Sequence, residues 1–447
     1  MGEAAVFWQL IGYRGNGHMR TQAYPAKLFV EPTTLCNLKC RMCVKQSRGN
    51  GIVEGFLEPD RFETLAAIFA HLNSIVFSGI GEPLLHPELE KMVASAHARL
   101  PAKSWIGLQT NGHLMDDRRA AALIEAGIDR ICISMDAASS RTLQLNRSGA
   151  KMAHVESAFR AVRNARETLP AGRVKLGVEY VLMRNNLAEL PRAIEQAALN
   201  GADFAIVSQM LPYDESVMDE TLYTANTDAS LRFFREKQRE AQARGFDLEQ
   251  YLTVRWKYIR SADEQALIDF VEAMISEATA RQIPFHFRKL LSFDETLARQ
   301  VEAVFAQARR CAARYHLDLK LPALHPRFER ECEFVQNRSI FLAWDGRIYP
   351  CYMLWHHYKC YFDGREKPVA HEPFGRIPDQ DILDIWKAPS YQDFRKEVAD
   401  YDFPYCSNCN VGPCDLITNE GFEYDCFAMA VPCGDCPWCM GLMQCLQ

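Results

Sequence analysis

Between about residues 27 and 212, short β-branched runs alternate with longer segments of helical period, and no other feature restricts the fold of this 447-residue chain so strongly. Such alternation demands a parallel sheet, because each return to a parallel neighbour needs a crossover helix. The expected strands are Lys27 to Glu31, Ser74 to Ser78, Ser104 to Gln109, Arg130 to Ser134, Val174 to Leu182 and Ala202 to Ser208. Helices are expected near 59–71, 87–99, 116–126, 152–168 and 188–199. Six repeats are too few to close an eight-stranded barrel, so the predicted class is α/β with an open, partial (β/α)6 barrel. Its ligand site belongs at the C-terminal ends of the strands, where the βα loops converge.

The rest of the chain divides around this unit. Residues 1–26 read as an N-terminal extension and 27–213 as the partial barrel. Residues 214–330 read as a helical connector whose charged segments, Leu231 to Ala243, Glu264 to Arg281 and Phe293 to Arg310, present solvated faces and carry no chemistry. Residues 331–447 are rich in Cys, aromatics, Gly and Pro, as expected of a loop-rich domain organised by metal. With 51 Lys and Arg against 57 Asp and Glu, net −6 and no basic block, the composition argues against sequence-independent nucleic-acid binding. The apolar run Ala4 to Tyr13 is too short to span a bilayer, so no membrane partner is expected.

Eleven of the sixteen cysteines follow residue 330, eight of them within 406–447. A chain this long buries a core without disulfides, so close Cys-x-x-Cys spacings in an expected reducing, cytoplasmic setting read as metal ligands. Cys132 and Cys311, isolated in apolar or helical stretches, read as small buried hydrophobes.

The sharpest local signal is Glu31-Pro32-Thr33-Thr34-Leu35-Cys36-Asn37-Leu38-Lys39-Cys40-Arg41-Met42-Cys43, a Cys-x3-Cys-x2-Cys triplet directly after the first expected strand. Three thiolates leave one position of a [4Fe-4S] cluster open, as a catalytic metal site does and a structural one does not. The alternative on spacing alone is zinc with a fourth ligand from elsewhere. The triplet resembles the signature of the radical S-adenosylmethionine (SAM) superfamily, in which the open iron chelates the cosubstrate. Phe77-Ser78-Gly79-Ile80-Gly81-Glu82-Pro83 resembles that family's Gly-Gly-Glu-Pro turn, which implies roles at the methionine amino group for Ser78, Gly79, Gly81, Glu82 and Pro83. Gln109-Thr110-Asn111-Gly112 and Ile133-Ser134-Met135-Asp136 are similar to its later strand-end motifs, implying that Asn111, Ser134 and Asp136 line the SAM pocket. Arg147 is a candidate for the SAM carboxylate. Met42 stands where the family often has an aromatic residue against the adenine. The resemblance implies reductive cleavage of SAM to methionine and a 5′-deoxyadenosyl radical that abstracts a hydrogen atom, with Cys36, Cys40 and Cys43 holding the catalytic cluster.

Downstream, Cys332-x13-Gly346-x4-Cys351, Cys406-x2-Cys409-x4-Cys414, Cys426 and Cys433-x2-Cys436-x2-Cys439-x5-Cys445 resemble the SPASM domain and its two auxiliary [4Fe-4S] clusters. By that resemblance Cys332, Cys351 and Cys426 hold the nearer cluster and Cys406, Cys409 and Cys414 the farther one. The remaining ligands come from Cys433, Cys436 or Cys445, with Cys360 and Cys439 surplus. Two zinc sites are the alternative, since spacing does not separate zinc from iron–sulfur. The whole pattern most resembles the tungsten cofactor oxidoreductase maturases. It implies a radical SAM maturase acting on a protein, peptide or cofactor, such as a tungsten-containing aldehyde ferredoxin oxidoreductase, with a low-potential electron donor such as ferredoxin or flavodoxin. The rival readings are a crosslinking maturase of ribosomal peptides and a non-catalytic iron–sulfur carrier or scaffold. No general acid or base stands out: His86, His113, His356 and His357 read as surface or satisfied core groups.

Overall fold

A computed structural model describes residues 23–168, 174–370, 373–409, 414 and 423–447. Six parallel strands form its centre in sequence order: β1 (Lys27–Val30), β2 (Ser74–Phe77), β3 (Trp105–Thr110), β4 (Arg130–Ser134), β5 (Lys175–Leu182) and β6 (Phe204–Gln209). Nearly all of their Val, Ile, Leu and Phe side chains are buried, on both faces, as helix-covered parallel strands require. The crossovers are α1 (Leu89–His97), α2 (Asp117–Glu125), α3 (Met152–Thr168) and α4 (Leu190–Leu199). Between β1 and β2 the single helix expected over 59–71 is two short ones, Pro59–Glu63 and Ala66–Phe69. Local chemistry sets the boundaries. Asp116 caps α2 by accepting from the Arg119 amide at 2.7 Å, and Gly127, at φ +100°, supplies the left-handed residue after it.

The sheet extends beyond these six strands. β7 (Asp318–Lys320) pairs parallel to β6, while β8 (Ser339–Leu342) pairs parallel to β1, with Phe29 opposite Phe341. β9 (Arg347–Tyr349) follows antiparallel, then a separate hairpin of β10 (Tyr358–Phe362) and β11 (Arg365–Val369), and β12 (Gly375–Arg376) closes that side of the sheet. Both the stretch expected as connector and the cysteine-rich region therefore contribute to the central sheet. These strands have two to five residues, too few for their apolar period to register.

In the connector, α5 (Asp228–Ala243) and α6 (Ala262–Ala280) surround a small core of their own, with Leu231, Phe234, Ile268 and Val271 buried. A Ser261–Glu264 capping box starts α6. The third helix, α7 (Glu295–Arg314), instead packs on α4 and delivers Val301, Phe305 and Ala308 to the main core.

Residues 442–447 cross the sheet from the end of β6 to the starts of β3 and β4. The Gln209 amide donates to the Leu442 carbonyl at 3.0 Å, the Gln444 amide to Ser208 Oγ at 3.1 Å, and Arg130 Nη1 to the Gln447 carbonyl at 3.4 Å. Leu446 fills the space that a side chain at Gly107 would occupy. Strand alternation puts Gly107 on the same face as Gln109, so this segment lies on the inner face of the sheet.

Candidate functional site

The loop after β1 carries Cys36, Cys40 and Cys43, each half-buried. Lys39–Cys40 pairs with Arg147–Ser148, which ties the triplet to the segment following β4. The turn after β2 is hooked to the same loop: the Ser78 amide donates to the Val30 carbonyl at 2.9 Å and the Glu82 amide to the Leu35 carbonyl at 2.7 Å. A Cβ on Gly81 would collide with the Thr33 and Leu35 carbonyls, so only glycine lets the two loops approach this closely.

These loops, the ends of β3 to β5 and Tyr213 after β6 surround a cavity of about 250 Å³. Of the candidates from sequence, Cys36, Cys40, Met42, Cys43, Ser78, Gly79, Gly81, Glu82, Asn111, Ser134 and Arg147 line it. Pro83 and Asp136 do not. Pro83 starts a short 3-10 turn, and Asp136 is fully buried behind the wall, paired with Arg147 Nε and accepting from the Val181 amide at 2.8 Å. Asp136 therefore positions Arg147. Glu82 is also internally engaged: its carboxylate accepts from Thr110 Oγ1 at 2.6 Å, the Asn111 amide at 2.7 Å and the Leu84 amide at 3.0 Å. Burial raises its pKa against those three hydrogen bonds. It braces the ends of β2 and β3.

The thiols suit an anionic cluster. Arg147 Nη1 stands 3.9 Å from Cys40 Sγ and Asn111 Nδ2 4.0 Å from Cys36 Sγ, so two N–H groups address the sulfurs. Burial raises the pKa of Cys36 and Cys43 and pushes that of Cys40 up to about 12. Without a metal to displace their protons, these groups stay thiols.

The cavity also has walls that strand patterning did not reveal: Gln109, Thr110, Glu179, Val181 and Tyr213. Glu179 had one sequence signal, a lone carboxylate inside the apolar strand Lys175–Leu182. His86 and His113 are satisfied. His86 Nε2 meets the Leu57 carbonyl at 2.8 Å while Nδ1 accepts from the Glu88 amide, and His113 Nε2 accepts from the Lys151 amide while Nδ1 donates to the Asn111 carbonyl. Burial lowers the pKa of both. His356 Nε2 meets the buried Glu31 carboxylate at 3.3 Å, and His357 is exposed.

The C-terminal thiols separate by burial. Cys332, Cys351, Cys433, Cys436 and Cys439 are buried and mutually adjacent: Cys351 neighbours Cys332 and Cys436, and Cys439 hydrogen-bonds with Cys332 and Cys436. That bond holds the pKa of Cys436 below its ordinary value despite burial. Cys406, Cys409, Cys414 and Cys426 form a more open group, Cys426 lying beside Cys409, Cys414 and Cys406. This departs from the expected sets in two places: Cys426 sits with Cys406, Cys409 and Cys414, and Cys439 sits with Cys332 and Cys351. Cys445, expected among the ligands, lies on the sheet's inner face near Lys27 and Glu179. Linear spacing does not report which loops the fold brings together. Among the described residues no three His, Cys, Asp or Glu side chains converge as a site for one metal ion. An iron–sulfur cluster takes one thiolate on each of several irons, so it does not ask for that convergence. No helix among the described residues is long and apolar enough to cross a membrane.

Two family models match parts of the chain. Residues 30–197 match the radical SAM superfamily model, and residues 332–410 match SPASM, an iron–sulfur cluster-binding domain. The tungsten-containing aldehyde ferredoxin oxidoreductase cofactor-modifying protein of Pyrococcus furiosus is 26% identical over 427 residues, 94% of this chain and 96% of its own length. GTP 3′,8-cyclase 2 of Mycobacterium bovis is 37% identical over 143 residues, 31% of this chain and 39% of its own. A solved structure of anSMEcpe with bound AdoMet and the Cp18Cys peptide aligns at 15% identity and a TM-score of 0.48, covering 92% of this chain and 94% of that one. The two domain matches fall on the two halves of the molecule that carry its clustered thiols, and with them come a [4Fe-4S] cluster and SAM in the first half and iron–sulfur clusters in the second. The chain carries a radical SAM domain over residues 30–197 and a SPASM domain over residues 332–410.

Proposed function

We propose that this enzyme is a maturase that modifies a partner protein, peptide or cofactor, and that the partner is a tungsten-containing aldehyde ferredoxin oxidoreductase or its cofactor. The observation that carries the reading is the three-thiol loop facing a walled cavity. It is supported by likeness along nearly the whole chain to the cofactor-modifying protein of Pyrococcus furiosus. Cys36, Cys40 and Cys43 would hold the cluster, which with electrons from a low-potential donor such as ferredoxin or flavodoxin would supply reductive cleavage of SAM. The chain's own residues do the rest. Arg147 and Asn111 donate toward the thiolates, Asp136 fixes Arg147, Glu82 locks the β2 and β3 turns against the triplet loop, and the walls limit which C–H and S–H groups a radical formed there can reach.

For the SPASM domain we assign Cys406, Cys409, Cys414 and Cys426 to one cluster. Cys332 and Cys351, with two of Cys433, Cys436 and Cys439, hold the other. The burial split and the neighbouring thiols support this allotment.

Anaerobic reconstitution is the test. The expected result is about twelve irons per chain, and 5′-deoxyadenosine when SAM and a strong reductant are added. Cys40→Ala should abolish the 5′-deoxyadenosine and retain about eight irons. Incubation with the apo tungsten oxidoreductase should then change the mass of that protein or its cofactor. Zinc in place of iron, or SAM cleavage that survives Cys40→Ala, would overturn the assignment.

A further inference from the structure

The cavity's charged walls are unevenly compensated. Four charged side chains other than cysteine line it: Lys45, Glu82, Arg147 and Glu179. Lys45 Nζ is taken by Glu54 and the Thr34 carbonyl, Arg147 by Asp136, and Glu82 by three donors from its own fold. Glu179 differs. Its Oε2 accepts a single hydrogen bond from the neutral amide of Gln109, at 2.7 Å, and among the described residues no hydrogen bond or ion pair reaches Oε1. The side chain is only partly accessible, and it lines the cavity. Burial raises its pKa to about 7, with Asp136 adding to the rise and Arg147 and Gln109 opposing it. A carboxyl in that condition gains most from an incoming cation, because an opposite charge restores its ionised form where water does not.

SAM brings such a charge. Its sulfonium is a permanent cation, and a buried cation needs a counter-charge. We propose that Glu179 is the counter-ion of the sulfonium when SAM occupies the cavity, making it the residue that tells SAM from its neutral thioether analogue. The inference rests on the SAM-cleaving reading above and goes beyond the cluster and turn motifs, all of which lie on other strands. Glu179 comes from β5, level with Ser134 on β4.

The discriminating probe is S-adenosylhomocysteine, which carries the same nucleoside, amino and carboxylate groups without the sulfonium charge. Dissociation constants for both ligands are measured on the reconstituted enzyme by calorimetry, for wild type, Glu179→Gln and Glu179→Asp. The wild type should prefer SAM. Glu179→Gln, nearly isosteric, should weaken SAM by about tenfold or more and leave S-adenosylhomocysteine unchanged, the scale of a lost charge-assisted contact. Glu179→Asp should retain a preference for SAM. Unchanged iron content and cluster absorption in each variant report an intact site. Equal weakening of both ligands would mean that Glu179 addresses a group they share, and would overturn the proposal. So would a SAM preference that survives Glu179→Gln. A wild type that binds neither ligand would instead sink the SAM-cleaving reading itself.

Discussion

Single side chains at this site are held by partners whose removal has a definite sign. Asp136 is fully buried and ion-paired with Arg147, itself largely buried. Asp136→Asn leaves the guanidinium without its counter-charge, and a loss of about 3–5 kcal/mol is expected in denaturant unfolding. Glu179 gives a pH signature. Its folded pKa, about 7, lies above the ordinary carboxylate value, so the folded chain keeps a proton that the unfolded chain has lost. Its contribution to stability is therefore greatest below the unfolded pKa and falls as pH rises toward 7. Unfolding free energies compared between wild type and Glu179→Gln should show a flatter decline in the variant over pH 4.5–7, and parallel curves would contradict this. Sequence made the three cysteines and Arg147 visible as candidates, because their spacing is short or their motif ordered. Glu179 offered only its oddity as a carboxylate in an apolar strand, and period-two patterning, which describes a strand's average environment, does not reveal which position opens on a cavity.

At the level of elements, the six central strands were legible because each is a run of apolar or β-branched residues between helical periods; β2 and β4 fall within a residue of expectation. β7, β8, β9 and β12 were not, since two to four residues carry too little period, and their membership of the sheet depends on partners that precede them by as much as 312 positions, as with Lys27 and Ser339. The turn after β2 shows what an element can fix. Because Gly81 touches the triplet loop's backbone, Gly81→Ala should push that loop outward. Its expected effect is a loss of about four irons per chain with the SPASM clusters retained, checked by iron analysis and by the spectrum of the remaining clusters. Full iron occupancy with normal SAM affinity would show that the two loops tolerate separation.

On the scale of the molecule, the cysteine-rich half is built into the barrel as well as attached to it. β8 and β9 extend the sheet, Glu31 meets His356, and Leu446 sits against Gly107 on the inner face. Leu446→Ala, at a nearly fully buried position, should cost about 2–5 kcal/mol and broaden unfolding of the barrel itself, read by helical circular dichroism. The segment that supplies Leu446 also touches Ser208, 236 residues earlier in the chain at Gln444. A nascent chain that has made all six central strands still lacks the residues that cover their inner face. Loop closure over such a distance is slow, and until it happens the face stays open to solvent and to other chains. An interval set by translation therefore separates the appearance of the first three cysteines from the arrival of the segment that lies against Ser208 and Gly107.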